Sequence, residues 1–320
     1  PATSQIGSAA TVTASASYFS GGPLANAQVD WSVSSSPTTF SPPGWDGFTF
    51  GTWTPWWPSR FWWNEGVQPG IPSNQTTQAD RTDSKGKAHL KVDFLSVDPP
   101  QPHNLTAQAT IQDVNRQTWT TSTSVLVHPA SLYVGMKSQR TFVEAGQPLE
   151  VEVVVSNLEG KPVSGHPVLL KAYRLDWESG ENQRADEVDL QVTSGAQPVK
   201  AAVPTNQGGT YQLEAYIQDN ENRSNRSQLT LWVAGGKQPP ATRVEQEQLT
   251  LVPSQREYQP GDTAEVLVQA PFAPAELVVT TRRNGIASLQ RLSAQDGSAN
   301  LKIPLDEINI PGLQVQVDAV

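Results

Sequence analysis

Cysteine is absent from the chain, and disulfides, thiolate zinc sites and cysteine nucleophiles are excluded with it. The absence does not fix a compartment, because a domain of ordinary size holds together without disulfides in either redox environment. Clustered positive charge is missing too. Lys and Arg number 22 against 31 Asp and Glu, the net charge is −9, and the tightest basic pair, Arg282–Arg283, stands alone. Phosphate backbones need a basic stripe, so no nucleic-acid partner is expected. No apolar run approaches the ~20 residues of a membrane-spanning helix. Residues 1–15 lack the basic flank and apolar stretch of a signal peptide. Direct membrane insertion by this segment is therefore not expected. The chain opens on Pro1 rather than Met, which reads as a mature segment or an excised piece.

Helical periodicity is scarce, and strand periodicity replaces it. "TVTASASY" (11–18), "VDWSVS" (29–34), "HLKVDF" (89–94), "LTAQATIQ" (105–112), "LEVEVVV" (149–155), "YQLEAYIQ" (211–218) and "LQVQVDAV" (313–320) all alternate. A period of two puts one face on a core and the other in water. Gly 23 and Pro 26 supply the turns between such runs. Many short antiparallel strands with frequent turns predict an all-β chain of β-sandwiches.

The chain also repeats itself. A Gly stands five residues before a strand-opening Val three times: Gly7 to Val12, Gly146 to Val151 and Gly261 to Val266. "GGPLANAQV" (21–29) and "GKPVSGHPV" (160–168) follow the first two as hairpin signals. "LTAQATIQD" (105–113) matches "YQLEAYIQD" (211–219), and "DSKGKAHLKV" (83–92) parallels "QDGSANLKIP" (295–304). Self-similarity at long period means serial copies of one unit. At roughly 100–200 residues per domain, 320 residues accommodate two or three. The repeats give three: about 1–130, 131–236 and 243–320, the last incomplete. "AGGKQPPATR" (234–243) reads as a linker.

The first unit carries an extra segment, about residues 35–81. Within it "GWDGFTFGTWTPWWPSRFWW" (44–63) holds six of the ten tryptophans: Trp45, Trp53, Trp56, Trp57, Trp62 and Trp63. Prolines forbid a helix or a central strand there. A membrane anchor would pair the aromatics with Lys or Arg on an amphipathic helix, and Arg60 is the one cation available. A carbohydrate platform would expose flat aromatic faces beside Asn, Gln and Asp. A self-packed or neighbour-packed insertion would use the ~150–250 Å² that each Trp can bury to offset the cost of ordering a ladderless segment. These six residues are the candidate packing or partner surface.

No catalytic, cofactor-binding or metal site is expected. His89, His103, His128 and His166 are scattered, and no Gly-x-Ser-x-Gly turn accompanies them. Asp219 and Glu221 in "QDNEN" (218–222) have calcium-like spacing but also the composition of a polar turn. Four Asn-x-Ser/Thr sequons, at Asn74, Asn104, Asn222 and Asn225, read as surface loops.

"SYFSGGPLANAQVDWSV" with the following "FTFG" (48–51), "SLYVGMKSQRTFVEAGQPLEVEVVV" (131–155) and above all "REYQPGDTAEVLVQAPFAPAELVVTTRRNGI" (256–286) resemble the bacterial α2-macroglobulins. The last resembles the stretch that opens the domain bearing the protease bait region, so the resemblance implies that the third unit precedes a bait. It further implies three serial antiparallel β-sandwich domains, macroglobulin-like and immunoglobulin-like, that form part of a trap closing around a protease. Target proteases reached through the full-length protein and neighbouring macroglobulin domains are the implied partners. The family's Cys-Gly-Glu-Gln thioester and its lipidated N-terminal Cys have no counterpart here. The implied location is periplasmic, tethered at the inner membrane by a lipid absent from this segment, and the implied role is broad endopeptidase inhibition in envelope defence. The alternative function is a glycan- or envelope-binding β-sandwich module that uses the Trp-rich segment. Far-ultraviolet circular dichroism is expected to show a β spectrum with minor helix; a substantial helical signal would contradict the sandwich reading.

Overall fold

The structure, a computed structural model, describes residues 3–57, 74–176, 183–235, 249–283 and 285–320. Among the described residues one helical element occurs, a 3-10 turn at Glu307–Asn309. The rest is strand and turn, and burial follows the alternation in the sequence. In β5 (Lys87–Asp93), for example, Ala88, Leu90 and Val92 turn inward while the residues between face water.

Strands β1 (Thr3–Gln5), β2 (Ala9–Ser15), β3 (Gln28–Pro37), β4 (Asn74–Arg81), β5, β6 (His103–Gln112) and β7 (Thr118–His128) form two sheets, β1-β7-β6-β3-β4 and β2-β5. Val29, Trp31, Leu90, Phe94 and Ile111 fill the space between them. Next come β8 (Leu132–Lys137), β9 (Phe142–Val143), β10 (Leu149–Asn157), β11 (Pro167–Asp176), β12 (Gln183–Thr193), β13 (Val199–Val203), β14 (Gly209–Gln218) and β15 (Ser224–Val233). They make the sheets β13-β10-β8 and β12-β11-β14-β15-β9 around Val153, Val155, Leu170, Leu213 and Leu231. Finally β16 (Thr250–Pro253), β17 (Thr263–Gln269), β18 (Ala275–Arg282), β19 (Ile286–Ala294), β20 (Ser298–Pro304) and β21 (Gln314–Ala319) make β16-β17-β20 and β19-β18-β21 around Val268, Leu277, Val279 and Leu301.

The three sandwiches share one strand plan. β2 pairs with β5 as β10 does with β13 and β17 with β20, and β3 pairs with β6 as β11 does with β14 and β18 with β21. Gly7, Gly146 and Gly261 all have left-handed φ, at 79°, 84° and 96°. Each closes the turn that feeds β2, β10 or β17, which explains the recurring spacing. Two features depart from the sequence reading. The sandwiches are not wholly antiparallel, since β1 runs parallel to β7 and β9 parallel to β15. Residues 74–81 belong to the first sandwich as β4, in register with β3 from Gln28↔Arg81 to Ser35↔Asn74. The excursion between β3 and β4 therefore runs from 38 to 73 rather than from about 35 to 81.

Polar contacts fasten the second sandwich beside its junction with the first, the first seam, and join it to the third. Beside the first seam, within the second sandwich, Asp219 Oδ2 accepts from Ser131 N and Ser131 Oγ, each at 2.9 Å, and from Arg223 Nε at 2.9 Å. Its Oδ1 accepts from the amides of Glu221 and Arg223. Asn225 Oδ1 accepts from Val134 N at 3.0 Å. Asn225 is buried, which corrects its reading as a surface-loop sequon. At the second seam, Thr141 N donates to Ser254 O at 3.1 Å, Gly235 N to Ser298 Oγ at 2.8 Å and Asn300 Nδ2 to Glu144 Oε1 at 2.7 Å. Arg140 pairs with Glu265 there.

Burial alone would raise the Asp219 carboxyl, but the hydrogen bonds from Ser131 and Arg223 outweigh it and hold the group at about 2, below its ordinary 3.8. A depressed carboxylate stabilises the fold above its unfolded pKa and loses that contribution as pH falls through the folded value. The window is about pH 4 down to about pH 2, and the contribution is of order 2 kcal/mol. Stability of the wild type in urea is expected to fall more steeply across that window than that of Asp219→Asn; parallel pH profiles would show that the carboxylate does not hold this turn against Ser131.

Candidate functional site

The described part of the aromatic excursion, residues 38–57, has no strand of its own, because Pro42, Pro43 and Pro55 remove donors and fix φ along it. Buried amides and carbonyls still need partners, and the excursion takes them from the second sandwich. Thr49 N donates to Met136 O at 2.8 Å and Met136 N returns to Thr49 O at 3.0 Å. Gln228 N donates to Gly51 O at 2.8 Å, Trp53 N to Gln228 O at 2.9 Å, and Gly51 N to Ser227 Oγ at 2.7 Å. The segment is thus not ladderless: it adds one antiparallel rung to β8 and one parallel rung to β15.

Its side chains separate into two clusters. In the first, Phe40, Trp45, Phe48 and Phe50 pack on Tyr133, Val154 and Leu158. Trp45 Nε1 donates to Ser156 Oγ at 3.1 Å and to Gly160 O at 3.0 Å, and its ring meets Phe48 edge-on at 5.6 Å. Lys137 Nζ lies 5.7 Å from the Phe48 ring centroid. Phe50 is buried over Gly135, where a Cβ would lie 2.6 Å from the phenyl ring. Phe40 reaches the first seam, with its ring 4.6 Å from His128 and 5.1 Å from Tyr133. His128 and Tyr133 share a buried hydrogen bond of 2.8 Å through Nδ1 and Oη. Burial lowers the pKa of His128 and raises that of Tyr133, so both stay neutral near pH 7.

In the second cluster, Trp53 and Trp57 lie against Trp232, with centroids 6.2 Å and 5.8 Å away. Phe142, Trp232 and Ala234 of the second sandwich and Val252 and Leu267 of the third complete this core. Trp56 stands edge-on to Trp53 and Trp57 at 5.9 Å and 4.6 Å. Trp56 thus packs on its neighbours as the sequence reading expects, but it is 38% exposed while Trp53 and Trp57 are half-buried. Trp62 and Trp63 lie outside the described residues. In its described part, residues 38–57, the strap therefore leaves the first sandwich, crosses the second and reaches the seam of the second with the third at Trp53 and Trp57.

Sequence reasoning missed the receiving side of this site. Trp232 alternates out of its own core, and in that register it faces the strap. Gly135 sits inside a strand, where a glycine marks the close approach of another group. The histidines stay apart, each with a local partner: His89 with Thr13 Oγ1, His103 with Ser35 Oγ, His166 with Gln218 O and His128 with Tyr133. Asp219 is committed to the donors of its own turn and to Ser131. Among the described residues no group of three His, Asp or Glu side chains comes together for a metal. Chemically, the strap provides buried aromatic area and directed hydrogen bonds.

The fold is three serial β-sandwiches crossed by an aromatic strap. Residues 249–320 match the family described as the alpha-2-macroglobulin bait region domain. The chain is 24% identical over 323 aligned residues to an alpha-2-macroglobulin homolog from Nostoc sp., covering 97% of this chain and 16% of that protein. It is similar in fold to trypsin-activated alpha-2-macroglobulin from Escherichia coli, with a TM-score of 0.50 at 15% identity, covering 99% of this chain and 23% of that one. The native conformation of the same Escherichia coli protein gives 0.47 at 14% identity, covering 99% of this chain and 22% of that one. The chain thus spans about a sixth to a quarter of the length of these proteins, and over that stretch it is similar to bacterial alpha-2-macroglobulins.

If the strap is a brace, its members should differ in worth by burial. Trp232→Ala is expected to cost about 3–5 kcal/mol, and Trp56→Ala less than about 1 kcal/mol, both read from urea or guanidinium unfolding. Equal small costs would return the aromatics to the role of an exposed platform.

Proposed function

We propose that this chain is a non-catalytic structural segment of an α2-macroglobulin-like protease trap. The observation that carries the reading is the aromatic strap, which joins three consecutive sandwiches, the last of which matches the bait region domain. A trap that closes when a bait is cut needs the bait-bearing part held against its neighbours until cleavage. The strap does this by packing the half-buried Trp53 and Trp57 against the seam of the second and third sandwiches. Division into units of about 1–130, 131–236 and 243–320 belongs to the same proposal. So do proteases as partners, a location on the periplasmic side of the inner membrane and a role in envelope defence. The Escherichia coli relative is described as activated by trypsin, which supports a protease as the partner class. The rings of Trp45, Trp53 and Trp57 pack on protein rather than lying flat to solvent, so the described residues do not favour the glycan-binding alternative.

In this reading the segment does not enclose a protease by itself. Trypsin or elastase incubated with the 320-residue chain is expected to keep full activity on both a protein substrate and a small peptide substrate. The protein from which the segment comes is expected to depress the former and spare the latter. Stoichiometric loss of protein cleavage with the segment alone would contradict the passive role.

A further inference from the structure

The first and second sandwiches each carry a hairpin of the same build after β2 and β10. Ser17 bridges to Pro23 as Ser156 does to Pro162. Tyr18 N donates to Gly22 O at 2.8 Å and Asn157 N to Lys161 O at 3.0 Å. Gly21 N donates to Tyr18 O at 2.9 Å and Gly160 N to Asn157 O at 3.1 Å. Gly21 and Gly160 hold the same left-handed position, at φ 94° and 85°. Position for position, Phe19 stands where the second hairpin has Leu158.

The second hairpin is occupied. A Cβ on Gly160 would lie 2.0 Å from Pro43 O, so the strap passes directly over the glycine. Trp45 Nε1 binds Gly160 O and Ser156 Oγ, and Leu158 joins the cluster of Trp45 and Phe48. The first hairpin offers the same features with nothing on them. Phe19 is 112% exposed and Tyr18 44%, and no atom lies within 4 Å of the position a Cβ on Gly21 would take. Ser17 is exposed where Ser156 is buried. A phenyl ring held in water at the tip of a hydrogen-bonded turn, beside a glycine with open space over it and an exposed serine, is a preformed anchor.

We propose that the Ser17–Pro23 hairpin is a docking site for an extended peptide segment of a partner polypeptide, one that carries a tryptophan next to proline and glycine, the chemistry of residues 43–45. The partner's indole N–H donates to Gly21 O and Ser17 Oγ, its proline carbonyl passes over Gly21, and its ring lies on Phe19. The chain's own strap is engaged on the second hairpin, which assigns the occupant to another polypeptide segment. The inference rests on the equivalence of the two hairpins and stands apart from the trap reading.

The probe is a synthetic peptide with the sequence of residues 41–51, SPPGWDGFTFG, titrated into the isotope-labelled 320-residue chain. Saturable amide shifts are expected at Tyr18, Gly21 and Gly22. They should vanish for a peptide with alanine in place of tryptophan, and Phe19→Ser should weaken binding about tenfold or more. Phe19 makes no core contact, so that variant keeps its fold, checked by an unchanged melting curve. Absence of saturable shifts, shifts confined to Ser156–Lys161, or binding indifferent to Phe19→Ser would overturn the proposal. It would also be overturned if, without peptide binding, Phe19 drove self-association or sedimentation with anionic vesicles, which would assign the tip to a second copy or to lipid.

Discussion

A polypeptide that cannot pair with itself must pair with something else, and residues 38–57 live under that constraint. Prolines and glycines deny them a helix or a strand of their own, yet Phe50 and Pro42 are buried. Their amides find partners on Met136, Ser227 and Gln228, and their indole and phenyl rings find partners on Tyr133, Phe142 and Trp232. Each sandwich has its own core, and direct contacts such as Thr141 to Ser254 and Arg140 to Glu265 join the second to the third. The strap adds contacts that belong to more than one sandwich at once. Directional bonds such as Trp45 Nε1 to Gly160 O fix where it lies, and aromatic burial supplies the larger share of the energy.

Repetition makes this arrangement economical. One strand plan is used three times, and the hairpin after β10 receives the strap because Gly160 leaves room for Pro43. Single missing methyl groups decide the geometry at two places, Gly135 under Phe50 and Gly160 under Pro43. Alanine at either position would push a buried ring or a carbonyl aside, and packed interiors tolerate little of that.

Strand alternation and the Gly-to-Val spacing made the sandwich plan legible, because period two and a left-handed glycine are local properties. The parallel pairs β1–β7 and β9–β15 were not legible: both are two or three residues long and leave no periodic trace. β4 was hidden for a different reason. "NQTTQADR" is an edge strand of polar residues whose outward face carries no hydrophobic signal. The tryptophans announced themselves by composition, and their number favoured burial. What they bury against depends on Trp232, Phe142 and Val252, which lie 80 to 200 positions downstream. Contacts at that separation leave no mark in local pattern, so the division of the segment into two clusters emerged only from the fold.

Strap contacts, added to the direct seam, make the second and third sandwiches melt together. Differential scanning calorimetry of the wild type and Trp53→Ala tests this directly, since Trp53 contacts Trp57 and Trp232 at the seam of the second and third sandwiches. These two sandwiches are expected to unfold in one cooperative transition in the wild type and in two resolved transitions in the variant, with the third sandwich melting first. Superimposable endotherms, or a split transition already present in the wild type, would contradict it.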